Sequence, residues 1–294
     1  MDLKELIQSI HLIEIRTRKK LQGGLASSYR NVFRGQGMEF AEVREYVSGD
    51  DVRLIDWNVS ARFHNLYVKQ LMEERELSIV IAVQCTRSMN FGTVHKTKFQ
   101  MAAEVAATLI FSALHSGDRV GLVLYSAGDA VTYIPPNKGM NHGFLLLNRL
   151  LEQKIVGDVP SSYEVLRFLT YSLKKRSVVF LIGDFIYADM HTETLAAVSR
   201  RHDLICIGVL DAMETEGPPD GVFPFRNEAC PRGFTGVSPA TREKYRSLVE
   251  ERLAELKILL RTSHVDSIFL QTHAASEQEL HRLFMERIHA IPPH

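Results

Sequence analysis

The period of the apolar positions changes several times along the chain, and the changes divide it into elements. Leu3, Leu6, Ile7, Ile10, Ile13 and Leu21 recur at helical spacing with charges between them, which predicts an amphipathic helix docked on the body of the protein. Gly35-Gln36-Gly37 breaks the pattern, Gly49-Asp50-Asp51 predicts a turn, and residues 66–71 read as a short strand. The texture changes at residue 77. Leu77-Ser78-Ile79-Val80-Ile81-Ala82-Val83 is a near-continuous, β-branched apolar run, as parallel strands covered on both faces require. Further strands are predicted at 119–125, 130–134, 177–182, 204–210 and 265–270. Helices are predicted at 99–114, 144–151, 161–173, 191–201, 238–261 and 276–288. Capping pairs open three of them: Thr97 with Gln100, Ser161 with Glu164 and Ser276 with Glu279. Ser238-Pro239 opens another, with serine as cap and proline at the first helical position.

Strand and helix alternate from residue 77 onward. This implies an α/β fold, a doubly wound, mostly parallel sheet of Rossmann type with helices on both faces. Residues 1–76 form a front segment, expected to pack on the core domain 77–294. In such sheets the functional crevice lies at the carboxyl ends of the strands, here Gln84–Ser88, Asp184 and Asp211.

Composition narrows the classes. The chain has 294 residues, 45% of them hydrophobic and 24% charged, with 35 basic against 35 acidic side chains. That balance excludes a disordered chain and argues against a general polyanion binder. It hides a local excess: Arg16, Arg18, Lys19, Lys20, Arg30 and Arg34 fall in an acid-free stretch with Tyr29 and Phe33 interleaved. The stretch is a solvated face, a partner surface or a phosphate contact. Cys85, Cys206 and Cys230 are too few and too far apart for a disulfide framework or a cysteine zinc site, and a reducing cytoplasm is the expected compartment. No apolar run approaches the length of a membrane span.

Catalytic signatures are largely missing. The chain contains no G-x-x-x-x-G-K-[ST], no G-x-S-x-G and no H-E-x-x-H, and Gln84 to Met89, just after the first core strand, include no glycine to admit a pyrophosphate. Cys85 follows that strand beside Arg87, a cation that would lower its pKa, yet a packed, inert thiol is the simpler expectation. The crevice retains Thr86 and Ser88, two residues apart, and Asp184. Hydroxyls with a carboxylate suit a hard divalent cation such as Mg2+ or Mn2+.

The loop resembles the metal-ion-dependent adhesion site of von Willebrand factor A domains, whose motif is Asp-x-Ser-x-Ser with a later threonine and a later aspartate. A longer likeness covers most of the chain. Gly35-Gln36-Gly37-Met38-Glu39-Phe40, Arg44-Glu45-Tyr46, Gly49 to Trp57 and Ser60-Ala61-Arg62 resemble the signature of the domain-of-unknown-function 58 (DUF58) family. Ser88-Met89-Asn90-Phe91-Gly92, Gly117 to Leu122 and Gly183-Asp184-Phe185 are similar to its later blocks. The resemblance implies a von Willebrand A-like core acting without catalysis, as an adaptor or chaperone partner of a MoxR-type AAA+ ATPase. The metal motif departs from the family pattern. Gln84 stands where the aspartate belongs and Thr86 where the first serine does, so only Ser88 and Asp184 match. The later threonine is expected near Asn137–Asn141. Metal binding is therefore expected to be weak or lost. Arg53, Asp56, Trp57 and Arg62 form either a structural clasp, with Trp57 as its packed anchor, or a partner contact. Two alternatives stay open: a metal-dependent hydrolase using Asp184, Asp211 and Glu214, and nucleic-acid binding through Arg16–Arg34.

Overall fold

The computed structural model describes residues 29, 32–33, 42–47, 49–52, 55–63, 65–70, 76–126, 131–155, 162–186, 188–225 and 233–290. The helix expected over 3–21, the basic side chains from Arg16 to Arg34, Gly35-Gln36-Gly37, Arg53, the Ser161 cap and Cys230 lie outside them.

The front segment contributes β1 (Glu42–Glu45), α1 (Trp57–Phe63) and β2 (Tyr67–Gln70), with β1 and β2 paired antiparallel. The core follows as β3 (Ser78–Gln84), α2 (Lys98–His115), β4 (Arg119–Tyr125), β5 (Val131–Asn137), α3 (Met140–Glu152), α4 (Ser162–Ser172) and β6 (Val178–Gly183). Next come α5 (Thr192–Arg201), β7 (Asp203–Leu210), α6 (Ala212–Glu216), β8 (Gly221–Phe225) and β9 (Gly233–Val237). The chain closes with α7 (Pro239–Thr262), β10 (Asp266–Gln271) and α8 (Ser276–Ala290). Six strands form one sheet in the order β10-β7-β6-β3-β4-β5, parallel throughout except for β5 against β4. The chain leaves β3 toward β4 and later returns to β6 on the other side of β3. The sheet therefore has its switch point between β3 and β6.

The unbroken apolar runs have a direct structural cause. Alternate residues of each strand feed two separate cores. Ile79, Ile81, Val83, Phe180 and Ile207 pack toward α2, α3 and α8. Val80, Ala82, Val179, Leu181 and Cys206 pack toward α4, α5 and α7. Each fully buried aliphatic side chain contributes about 1.5–3 kcal/mol, which favours apolar residues at the strand positions that face either core. Tyr29 and Phe33 belong to the first of these cores, Tyr29 fully buried and Phe33 packed against it. Phe33 stacks edge-on with Phe284 and lies under the Arg287 guanidinium. These two rings are thus unavailable for stacking on nucleic acid, which removes the aromatic part of that reading.

Several expectations shift. Strand β5 runs on through Pro135 and Pro136, which had read as loop. Proline is tolerated there because β5 is an edge strand, and the register slips opposite Gly121. A Cβ on Gly121 would come within 2.7 Å of the Ile134 carbonyl. Because β5 runs antiparallel, Asn137 pairs with Val120 at the start of β4. The Asn137–Asn141 region therefore lies at the end of the sheet opposite the crevice and cannot supply the later threonine. The β8–β9 hairpin is a further addition to the predicted elements, since glycine opens both strands and obscures their alternation.

The front of the chain is tied to the core by a buried carboxylate. Asp118 accepts hydrogen bonds from the Tyr29 hydroxyl and the Leu77 backbone N–H, each at 3.1 Å. Asp118→Ala is expected to lower unfolding free energy by about 1–3 kcal/mol, and Tyr29→Phe by about 1 kcal/mol. Urea denaturation of the two single variants and the double variant checks this, with less than additive losses expected.

Candidate functional site

The crevice forms where β3 and β6 end. Beyond Gln84 the Cys85 N–H bonds to the Tyr125 carbonyl at 2.7 Å, Thr86 stays extended, and Arg87–Asn90 make one tight 3-10 turn. Met89 is fully buried beneath that turn. The chain then reaches α2, which Thr97 and Gln100 open with a reciprocal capping box, as the sequence predicted.

Gln84 is built into the backbone rather than offered to a ligand. Its Oε1 accepts from the Asp184 N–H at 2.9 Å, and its Nε2 donates to Thr86 Oγ1 at 2.8 Å. Thr86 Oγ1 lies 3.1 Å from Ser88 Oγ. The backbone N–H can only donate, so it fixes the orientation of the amide, and Thr86 must accept. The Thr86 and Ser88 hydroxyls then share a hydrogen bond in which either can be the donor. Gly183 permits this stitch, because a Cβ there would collide with Gln84 Oε1.

The strongest feature is Lys98, the first residue of α2, whose side chain is completely buried. Its Nζ lies 2.6 Å from Asp184 Oδ2 and 2.6 Å from Glu214 Oε1. A lysine in the first turn opposes the helix dipole, so it needs these two carboxylates. Glu214 Oε2 accepts in turn from the Asp211 N–H at 3.1 Å. Burial raises the Glu214 pKa and the Asp184 charge adds to the effect, while Lys98 works against it. Asp184 Oδ1 is buried and has no hydrogen-bond partner among the described residues.

Asp211 is spent elsewhere. It accepts from the Thr93 hydroxyl at 2.5 Å, the Thr93 N–H at 3.0 Å, the Thr272 hydroxyl at 2.7 Å and the Met213 N–H at 3.1 Å. Burial alone would raise its pKa, but these donors outweigh burial and hold it low. The three carboxylates of the hydrolase reading therefore divide. Asp184 and Glu214 converge on an ammonium, and Asp211 caps α6 and ties down the 93 loop. Among the described residues no three His, Cys, Asp or Glu side chains are grouped to hold a metal.

Thr86, Ser88 and Asp184 come from the two strand ends predicted, although only Thr86 and Ser88 are in direct contact. Lys98, Thr93 and Thr272 complete the site, and the sequence reading had passed over all three. Only Lys98 carried a signal, as a cation at the wrong end of a helix. Cys85 is inert: burial pushes its thiol up to about 12, and Arg87 is exposed on the next turn. On the front segment Asp56 caps α1, accepting from the Asn58 and Val59 N–H groups at 3.0 and 3.2 Å. Trp57 is 67% exposed, so it is not the packed anchor of a clasp. Arg62 is exposed on the same helix. A separate open cleft beside α7 holds Arg242 and Arg246, but Asp220, Glu243 and Glu250 already pair with them.

Residues 42–255 match the family described as "Protein of unknown function DUF58", and the chain belongs to that family. An uncharacterized protein of Mycobacterium tuberculosis is 28% identical over 279 residues, covering 92% of this chain and 86% of its own length. An uncharacterized protein of Mycobacterium bovis matches to the same extent. Among solved structures, the conserved hypothetical protein BatB of Bacteroides thetaiotaomicron aligns at 14% identity and a TM-score of 0.47, over 72% of this chain and 98% of that one. An aerotolerance-related membrane protein of Bacteroides fragilis aligns at 14% identity and a TM-score of 0.42, over 73% and 100%. Among the described residues no helix is long and apolar enough to cross a membrane.

Two outcomes follow from this geometry. Lys98→Ala leaves two carboxylates without their cation and is expected to cost about 3–5 kcal/mol in unfolding free energy. Asp211→Asn is expected to cost about 1–3 kcal/mol at neutral pH. The Asp211 pKa is depressed in the folded state, so its stabilisation is present above the unfolded value and lost as pH falls through the folded one. Urea titrations from neutral pH down to about pH 3 are therefore expected to show the gap between wild type and Asp211→Asn closing in acid.

Proposed function

We propose that this member of the DUF58 family is a non-enzymatic protein-interaction module, a von Willebrand A-like domain that docks a MoxR-type AAA+ ATPase as adaptor or chaperone partner. The von Willebrand A-like reading is supported by the sheet order, with its switch point between β3 and β6 and its antiparallel edge strand β5. The adhesion-site position is degenerate in this reading. Gln84 is bonded to backbone and to Thr86, and the Asp184 carboxylate is held by Lys98. The engagement of Asp184 and Glu214 by Lys98, and of Asp211 by Thr93 and Thr272, supports binding over catalysis. A partner that consumes ATP puts the encounter in the cytoplasm.

The observation that carries the docking reading is Trp57, 67% exposed on a front segment that also exposes Val47, Val52, Phe63 and Leu66. Single exposed apolar residues are ordinary, and several within one short segment support reading it as an interaction surface. Tryptophan and arginine are the residues most often found to dominate such interfaces, and Arg62 is exposed on the same helix as Trp57.

The test is titration calorimetry of this chain against the MoxR-type ATPase of the same organism, together with the ATPase rate. The expected result is a complex that changes that rate. Trp57→Ala should weaken it by roughly tenfold or more, with an unchanged melting temperature. The absence of any complex, or undiminished binding by Trp57→Ala, would contradict the reading.

A further inference from the structure

We propose that the Lys98 ammonium is a resident substitute for the divalent cation of the crevice, so that this chain does not bind a metal there. The inference rests on the von Willebrand A-like reading for the identity of the position, but its chemistry is read from the side chains themselves. A divalent ion at this switch point would need Asp184 as its principal charged ligand, with the hydroxyls of Thr86 and Ser88 beside it. Asp184 Oδ2 is already 2.6 Å from Lys98 Nζ, and the same nitrogen holds Glu214 Oε1 at 2.6 Å. The lysine side chain has no exposed surface, so it cannot swing into solvent without opening the site. Gln84 brings no charge, and both of its polar atoms are already bonded within the protein. Both oxygens of Asp211 are bonded to Thr93 and Thr272. What remains for a metal is Asp184 Oδ1, Ser88 Oγ and the partly used Thr86 hydroxyl, with a buried positive charge on the other oxygen of the same carboxylate. That set does not fit a hard dication, which seeks anionic oxygens and is repelled by a fixed ammonium.

The substitution also explains why the crevice retains two carboxylates while lacking the first aspartate of the motif. The Lys98 monocation lies between two carboxylates and neutralises only one of their two charges, with Glu214 further held by the Asp211 N–H. Asp184 Oδ1 is buried and has no hydrogen-bond partner among the described residues, so the ammonium uses only one oxygen of this carboxylate. Removing the ammonium should therefore uncover a latent metal site. Asp184 and Glu214 would face one vacated position, with Oδ1 free to complete a ligand set.

The experiment is Mn2+ binding to the isolated chain, followed by electron paramagnetic resonance and by calorimetry, with no partner present. Failure of this proposal is thereby separated from failure of the docking reading, which only partner binding tests. Wild type is expected to leave the Mn2+ spectrum that of the free ion, with no saturable site below millimolar concentration. Lys98→Ala is expected to bind Mn2+ at least about a hundredfold more tightly and to gain melting temperature from it, both effects disappearing in Lys98→Ala/Asp184→Ala. If Lys98→Ala does not fold, Lys98→Met keeps the apolar stem and carries the same comparison. Micromolar Mn2+ binding by wild type that Asp184→Ala abolishes overturns the proposal, as does a folded Lys98 variant that gains no affinity. Should neither variant fold, the wild-type spectrum alone decides.

Discussion

The buried Lys98 ammonium, shared between Asp184 and Glu214, is the interaction around which the upper end of the sheet is organised. It joins three segments far apart in sequence: the start of α2, the end of β6 and the short helix α6. Taking a lysine entirely out of water is costly, and only close, well-aligned carboxylates offset the cost. The neighbouring features then read as supports for that arrangement. Gln84 holds the Asp184 backbone against β3, and Gly183 makes room for it. Glu214 closes a reciprocal cap with Asp211, and Asp211 anchors the 93 loop that leads into Lys98. The network exchanges hydrogen bonds among its own members and leaves Ser88 as its outermost polar group.

This arrangement shifts the interest from the crevice to the surface. The charged groups of the crevice are engaged with one another, while the front segment carries exposed Trp57, Val47, Val52, Phe63 and Leu66. The two regions lie in different parts of the architecture. The crevice is set by the switch point of the six-stranded sheet, and the exposed helix α1 is the connection, in chain order, between the strands of a separate two-stranded pair.

The core architecture was legible in the sequence for a physical reason. Strands buried on both faces must be apolar at nearly every position, so β3, β6 and β7 announce themselves as short runs bounded by polar strand ends. The capping residues Thr97 and Ser238 marked helix starts correctly because an N-terminal cap is a local interaction between residues three apart. The hairpin β8–β9 was not legible, and neither was the extension of β5 through two prolines. Both depend on pairing partners and edge position rather than on local pattern. The site divides in the same way. Thr86, Ser88 and Asp184 follow from the rule that crevices form at strand ends. Lys98, Thr93 and Thr272 enter only through long-range contacts, spanning 86 residues in the case of Lys98 and Asp184. Trp57 could not be sorted between buried anchor and exposed contact from its identity alone, since tryptophan serves both.

The central claim is that a lysine, and not a metal ion, holds the crevice together. The most direct measurement is a crystal structure grown in millimolar Mn2+, with anomalous diffraction recorded at the manganese edge. The account predicts no anomalous peak between Asp184 and Ser88, and Lys98 Nζ within hydrogen-bonding distance of both Asp184 and Glu214. A manganese peak on Asp184, with the Lys98 side chain displaced from the carboxylates, would contradict it.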